Sequence, residues 1–156
     1  MKENEYFNRF LQYIVSNLVA AICYFLFAAI LGLAGAMPGE AVSRVLSSIV
    51  TAVPFALATF ISALRDKTLP SGDLRAYLGG IGRADLITYA VWSICGAMIA
   101  MAGEAAGIAI YIFLAQALPT AALIAALGPP AGLIVSVMMN IAIYAGARVL
   151  GVILRK

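Results

Sequence analysis

Ser48, Thr51, Thr59 and Ser62 are the residues of this chain whose types and spacing first suggest chemistry. At about 100° per residue they share an arc of roughly 80° on one helix face, with Phe55 among them and Pro54 bending the helix nearby. Such a row of hydroxyls, set in an apolar helix, can hand a polar solute from one hydrogen bond to the next. The plainer use is local: each hydroxyl bonds back to its own helix or across to a neighbour.

A second set is Gly132, Ser136 and Asn140, spaced by four and drifting about 40° per step. Tyr144 and Arg148 continue the spacing, but the drift carries them round the helix and off a straight stripe. Asn140 is the most informative of the set, because a buried amide must find several partners. Asn17 is its natural counterpart, with a carbonyl freed by Pro119 as the other choice. The pair either binds solute or fixes the register of two helices. Gln116 and Thr120 add two polar groups to an apolar segment, and Glu104 is the only acid after Asp85. A buried Glu104 would be a proton or cation site; between glycine and alanine at a turn, it is expected at the outer surface.

Other chemistries lack their parts. The chain has no histidine and no paired acids in its apolar stretches, so the usual hydrolytic constellations cannot be assembled. Gly79-Gly80-Ile81-Gly82 lacks the lysine and hydroxyl of a phosphate loop. Cys23 and Cys95 belong to no paired motif and read as small buried hydrophobes. No metal, cofactor, catalysis or nucleic-acid partner is expected, and the basic residues are too scattered for a nucleic-acid surface.

The elements that position these residues follow from charge and hydropathy. Between Ala105 and Ala147 there are 43 consecutive uncharged residues, in a chain that is 64% hydrophobic and 11% charged. A water-soluble domain does not sustain that, and a bilayer does. The reading is an all-α polytopic membrane protein, with a single transmembrane domain over residues 1–156. Spans are expected at 12–35, 45–64, 86–103 and 131–154, with Met37-Pro38-Gly39-Glu40 joining the first two. Ala34-Gly35-Ala36 resembles a cleavage site, but the preceding apolar run is too long for a signal sequence, so the first span is read as retained. In that span Asn17, Ala20, Ala21, Tyr24, Ala28 and Gly35 form a small-residue face. Gly103 and Gly107 make a GxxxG pattern suited to close helix packing.

Residues 107–127 decide the topology. Read as a fifth full span, they leave six basic residues on the inner side and four on the outer; read as a segment that enters and returns, they leave nine and one. The positive-inside rule favours a re-entrant helical hairpin, divided near Gln116, Pro119 and Thr120, with five full spans as the alternative. Both termini are then cytoplasmic. The polar loop 65–85 carries Leu74, Tyr77, Leu78 and Ile81 at helical spacing, ended by Gly79 and Gly80. That face reads as an interfacial helix anchored by Tyr77, or as a docking surface for a partner.

Two functions fit. One is a permeation protein, channel or carrier, for a small neutral or weakly charged solute or a lipid, with the candidates above along its path. The other is a non-catalytic accessory or scaffolding subunit of a larger membrane complex. The expected partners are the bilayer and either further copies of the chain or other subunits.

Overall fold

The computed structural model describes residues 3–35 and 39–155; Met37 and Pro38, at the first expected turn, lie outside them. The described residues form seven helices in order: α1 (Glu3–Leu33), α2 (Glu40–Arg65), α3 (Leu74–Gly79), α4 (Ile81–Ala102), α5 (Ala109–Ile112), α6 (Leu114–Leu127) and α7 (Pro129–Leu154). A 3-10 turn at Gly103–Ala106 follows α4. There is no strand among the described residues. Among the described residues four helices are long and apolar enough to cross a membrane: α1, α2, α4 and α7. At 14 residues, α6 is only about 21 Å long, short of the ~30 Å of a hydrocarbon core.

The distribution of side chains is that of a protein solvated by lipid. Arg148 and Asp85 are 1% exposed, whereas Ile30, Met98 and Met138 are more than 60% exposed. Burying apolar surface brings little gain when the solvent is itself apolar, so packing and polar contacts hold the interior together.

α1 and α2 are antiparallel, joined by Arg9 to Asp66 at one end and Thr59 to Ser16 further in. α4 and α7 are also antiparallel, with Asp85 against Arg148. Gln12, early in α1, accepts a bond from Arg148, late in α7. The start of α1 and the end of α7 therefore lie at the same end of the bundle, called here the terminal end. α6 runs from the middle of the bundle to the far end: Gln116 bonds Tyr89, Thr120 meets Ser136, and Ile124 packs on Gly132.

Several expectations are corrected. The third span begins at Ile81 and not at 86, so Asp85 is helical and inside the bundle; its charge is answered by Arg148, which removes the need for water there. The other spanning helices also start earlier than expected: α1 and α2 carry polar first turns beyond the apolar stretch, and α7 begins at Pro129, whose ring suits the first helical position. α3 ends at Gly79 as read, but its face turns inward. Tyr77 is fully buried against Leu69, Ala63 and Val152, Leu74 and Ile81 pack on that cluster, and only Leu78 stays exposed. Tyr77 is therefore not an exposed anchor, and Leu78 is the residue of that face left at the surface.

Gly103 and Gly107 do not form a packing motif. Their φ values are +57° and +53°, a left-handed conformation that glycine tolerates, and they break the helix on either side of an exposed Glu104. The break in the 107–127 segment falls at Phe113, between α5 and α6, so Pro119 sits inside α6 and divides nothing. Cys95 is exposed and Cys23 half-buried, so Cys95 lies on the outer surface and not in a core.

Candidate functional site

The interior is a stack of polar layers. At the terminal end Arg9, in the second turn of α1, donates to Asp66 Oδ2 at 2.6 Å and to Thr68 Oγ1 at 3.0 Å. Asp66 follows α2 and also accepts from Gln12 Nε2 and from Thr68 through both backbone and hydroxyl. Burial alone would push the Asp66 carboxyl up; the bonds from Thr68 and Arg9 outweigh it and hold the group below the usual carboxylate range. Arg155 donates to the carbonyls of Asp66 and Leu69, tying the end of α7 to the loop.

The next layer centres on Asp85. Its Oδ1 accepts from Tyr13 at 2.8 Å and Tyr144 at 2.9 Å; its Oδ2 accepts from Arg148 Nε at 2.9 Å and Tyr77 at 3.3 Å. One carboxylate thus joins α1, α3, α4 and α7, and each of its oxygens has two donors. Burial, and then the negative charge of Asp85, push the Tyr77 phenol above its ordinary range. Tyrosine suits the place, since its ring fills apolar space while its hydroxyl reaches the charge.

Those rings make the third layer. Tyr89 stacks on Tyr144 with centroids 3.8 Å apart, Tyr13 meets both edge-on at 5.6 and 5.4 Å, and Phe55 of α2 closes over Tyr89 at 5.9 Å.

Beyond the rings lies a layer of polar atoms with no partner among the described residues: Asn17 Oδ1, Ser93 Oγ, Gln116 Oε1 and Asn140 Nδ2. Asn17 Nδ2 is used, donating to the Tyr13 carbonyl at 3.0 Å, and Gln116 Nε2 donates to Tyr89 Oη at 2.9 Å. The last layer is the contact of the Thr120 and Ser136 hydroxyls at 2.5 Å, with Thr120 also on the Gln116 carbonyl.

The sequence candidates divide accordingly. Asn17, Gln116, Thr120, Ser136 and Asn140 are all buried inside the bundle. Asn140 Nδ2 bonds neither Asn17 Oδ1 nor a carbonyl near Pro119. Of the α2 hydroxyls, Thr51 and Thr59 are buried and Ser48 and Ser62 half-buried. Ser48 donates to the Arg44 carbonyl, and Thr51 to those of Ser47 and Ser48. Glu104 is exposed, away from the others.

Sequence reasoning missed Arg9, Tyr13, Asp66, Asp85, Tyr89 and Ser93. A signal existed: Arg9-Tyr13-Asn17 and Asp85-Tyr89-Ser93 repeat the spacing of four that singles out α7, and all six are buried. The drift that takes Tyr144 and Arg148 off a straight stripe is no obstacle either. A row of spacing four winds across the helix axis. On α7 it therefore meets α6 at Gly132 and Ser136, α4 at Tyr144 and Arg148, and at Val152 the buried cluster that includes Ala63 of α2.

No group of three metal-ligating side chains occurs among the described residues. What the site offers is hydrogen bonding in an apolar medium. No protein-family model matches this chain, and neither curated proteins nor solved structures give a match.

Proposed function

We propose that this chain is a small permeation protein, of channel or carrier type, for a small neutral or weakly charged solute. The observation that carries the reading is the layer of unpaired polar atoms on α1, α4, α6 and α7 at the middle of the bundle. In hydrocarbon an unsatisfied polar group is costly, so a helix bundle that serves only as a spacer is better built with apolar side chains there. At the far end a groove of about 580 Å³ opens between α2, α4 and α6, with Ser43, Arg44 and Ser47 on one wall. Its α6 wall includes Leu118, Ala121 and Ala122, on either side of Thr120 in the sequence. This groove is the proposed vestibule, and the Asp85 layer closes the path at the terminal end.

The proposed topology has both termini in the cytoplasm and residues 107–127 as a re-entrant segment. It draws on the nine basic residues assigned to the terminal side and on α6 being half a span long. The test is osmotic swelling of vesicles carrying the purified protein, with acetamide, glycerol and water as probes. Permeability above that of protein-free vesicles for at least one probe supports the reading; equality for all three refutes it. The second reading, an accessory subunit, rests on the same groove, which has room for an apolar segment of another membrane protein. A stoichiometric partner released by substituting Ala121 and Ala125 with tryptophan would favour it.

A further inference from the structure

The direction of the helices turns the unpaired atoms into a site. α1 and α4 run away from the terminal end, and α7 runs back towards it. Asn17 lies four residues after Tyr13, Ser93 four after Tyr89, and Asn140 four before Tyr144. Each step is one turn, about 6 Å, in the same direction along the bundle. Three helices therefore place a polar residue at one level, directly beyond the stacked tyrosines, and Gln116 joins them through its bond to Tyr89. Asn17, Ser93, Gln116 and Asn140 are each at most 4% exposed. The tyrosine layer closes one side of this level and the Thr120–Ser136 contact the other.

We infer that this level is an occluded binding site for a small neutral amide. Apart from the ring nitrogen of Trp92 and Arg148 Nη2, the unpaired buried atoms are two carbonyl oxygens, Asn17 Oδ1 and Gln116 Oε1, one amide nitrogen, Asn140 Nδ2, and one hydroxyl, Ser93 Oγ. An amide supplies the complement: N–H donors for the two oxygens, and a carbonyl whose two lone pairs accept from Asn140 and Ser93. Charge is selected against. The nearest ionised groups, Asp85 and Arg148, lie beyond the tyrosines and are paired with each other, so an ion here has no partner. A site built to hydrogen-bond its ligand rejects analogues that leave its own groups unpaired, and this sets the expected selectivity.

The inference rests on the permeation reading for its purpose, and its test separates the two. Wild-type protein in nanodiscs is titrated with acetamide, and binding is read by saturation-transfer NMR. Swelling of vesicles holding the same protein gives permeability. Asn140→Leu and Gln116→Leu are compared with Asn140→Ser, which keeps a donor and an acceptor. Thermal unfolding checks that each variant is folded, and Asn140→Ser carries the comparison if a leucine variant is not. Binding is expected to be saturable in wild type, about tenfold weaker in the leucine variants and near wild type in Asn140→Ser. Saturable binding with that pattern and no permeability keeps the site and refutes permeation. Permeability with no binding, or with binding unmoved by the leucine variants, refutes the site and keeps permeation. Glycerol competing as well as acetamide overturns the amide assignment. Water permeability changed by the variants without any amide binding overturns it in favour of bound water.

Discussion

Asp85→Asn tests whether the charged layer holds the bundle together. The substitution keeps shape and one carbonyl but removes the charge opposite Arg148, whose side chain is 1% exposed. Arg148 would retain the Gln12 carbonyl at 3.1 Å and the Asp66 carboxylate at 3.7 Å, the latter beyond hydrogen-bond reach. The amide can accept from two tyrosines through its oxygen, but its nitrogen then faces the donors Arg148 Nε and Tyr77 Oη. Removing one partner of a buried pair costs about 3–5 kcal/mol, and the remaining Asp66 places this case near the lower end, about 3 kcal/mol. Adding Arg148→Met removes the stranded cation, so the double variant should lie within about 1 kcal/mol of wild type, a recovery of ~2 kcal/mol over the single variant. The assay is reversible unfolding by dodecyl sulfate in mixed micelles, followed by Trp92 fluorescence. Trp92 is the single tryptophan and packs on Phe10 at 5.5 Å and Phe113 at 4.3 Å, so it reports on α1, α4 and the 103–113 segment together. A loss below about 1 kcal/mol in the single variant, or a double variant less stable than the single, would refute the account.

Gly132→Ala should destabilise by about 1–3 kcal/mol in the same assay, because its Cβ would stand 2.5 Å from the Leu123 carbonyl and the Ile124 backbone. Gly146→Ala, with nothing within 4 Å, should be neutral or gain up to ~1 kcal/mol. Asp66 is held below its unfolded value, so its contribution is present above the ordinary carboxylate range and lost as pH falls through the folded value. Unfolding measured against pH should show this acid limb in wild type, and Asp66→Asn should flatten it while lowering stability at neutral pH. Single cysteines in place of Glu3 and Lys156, with Cys23 and Cys95 replaced by alanine, should label from the same face of intact vesicles; labelling from opposite faces refutes four crossings.

What was legible in the sequence was the part governed by the bilayer. A long uncharged run leaves helices as the economical solution, and the basic residues mark one end of them. The polar residues of α7 and α6 were also legible, because Ser136, Asn140, Gln116 and Thr120 stand out against leucine and alanine. The glycines were harder. Gly103 and Gly107 have the spacing of a packing motif, and spacing alone does not distinguish a helix that continues from one that breaks at positive φ.

Asp85 was illegible for a different reason. It is preceded by Arg83 and Ala84 at the edge of a polar loop, so local composition assigns it to water. Its burial depends on Arg148, 63 residues away, and on three tyrosines from α1, α3 and α7. None of these is informative alone, since a tyrosine or arginine near a membrane boundary usually marks the interface. Only their convergence supplies four donors to one carboxylate, and that number decides the matter: two per oxygen leaves the charge solvated by protein instead of water. The polar loop is shortened by one helical turn as a result, and α4 begins inside the bundle. A buried charge of this kind is read from matching partners across the fold, and a hydropathy window that scores each residue with its neighbours will place it outside.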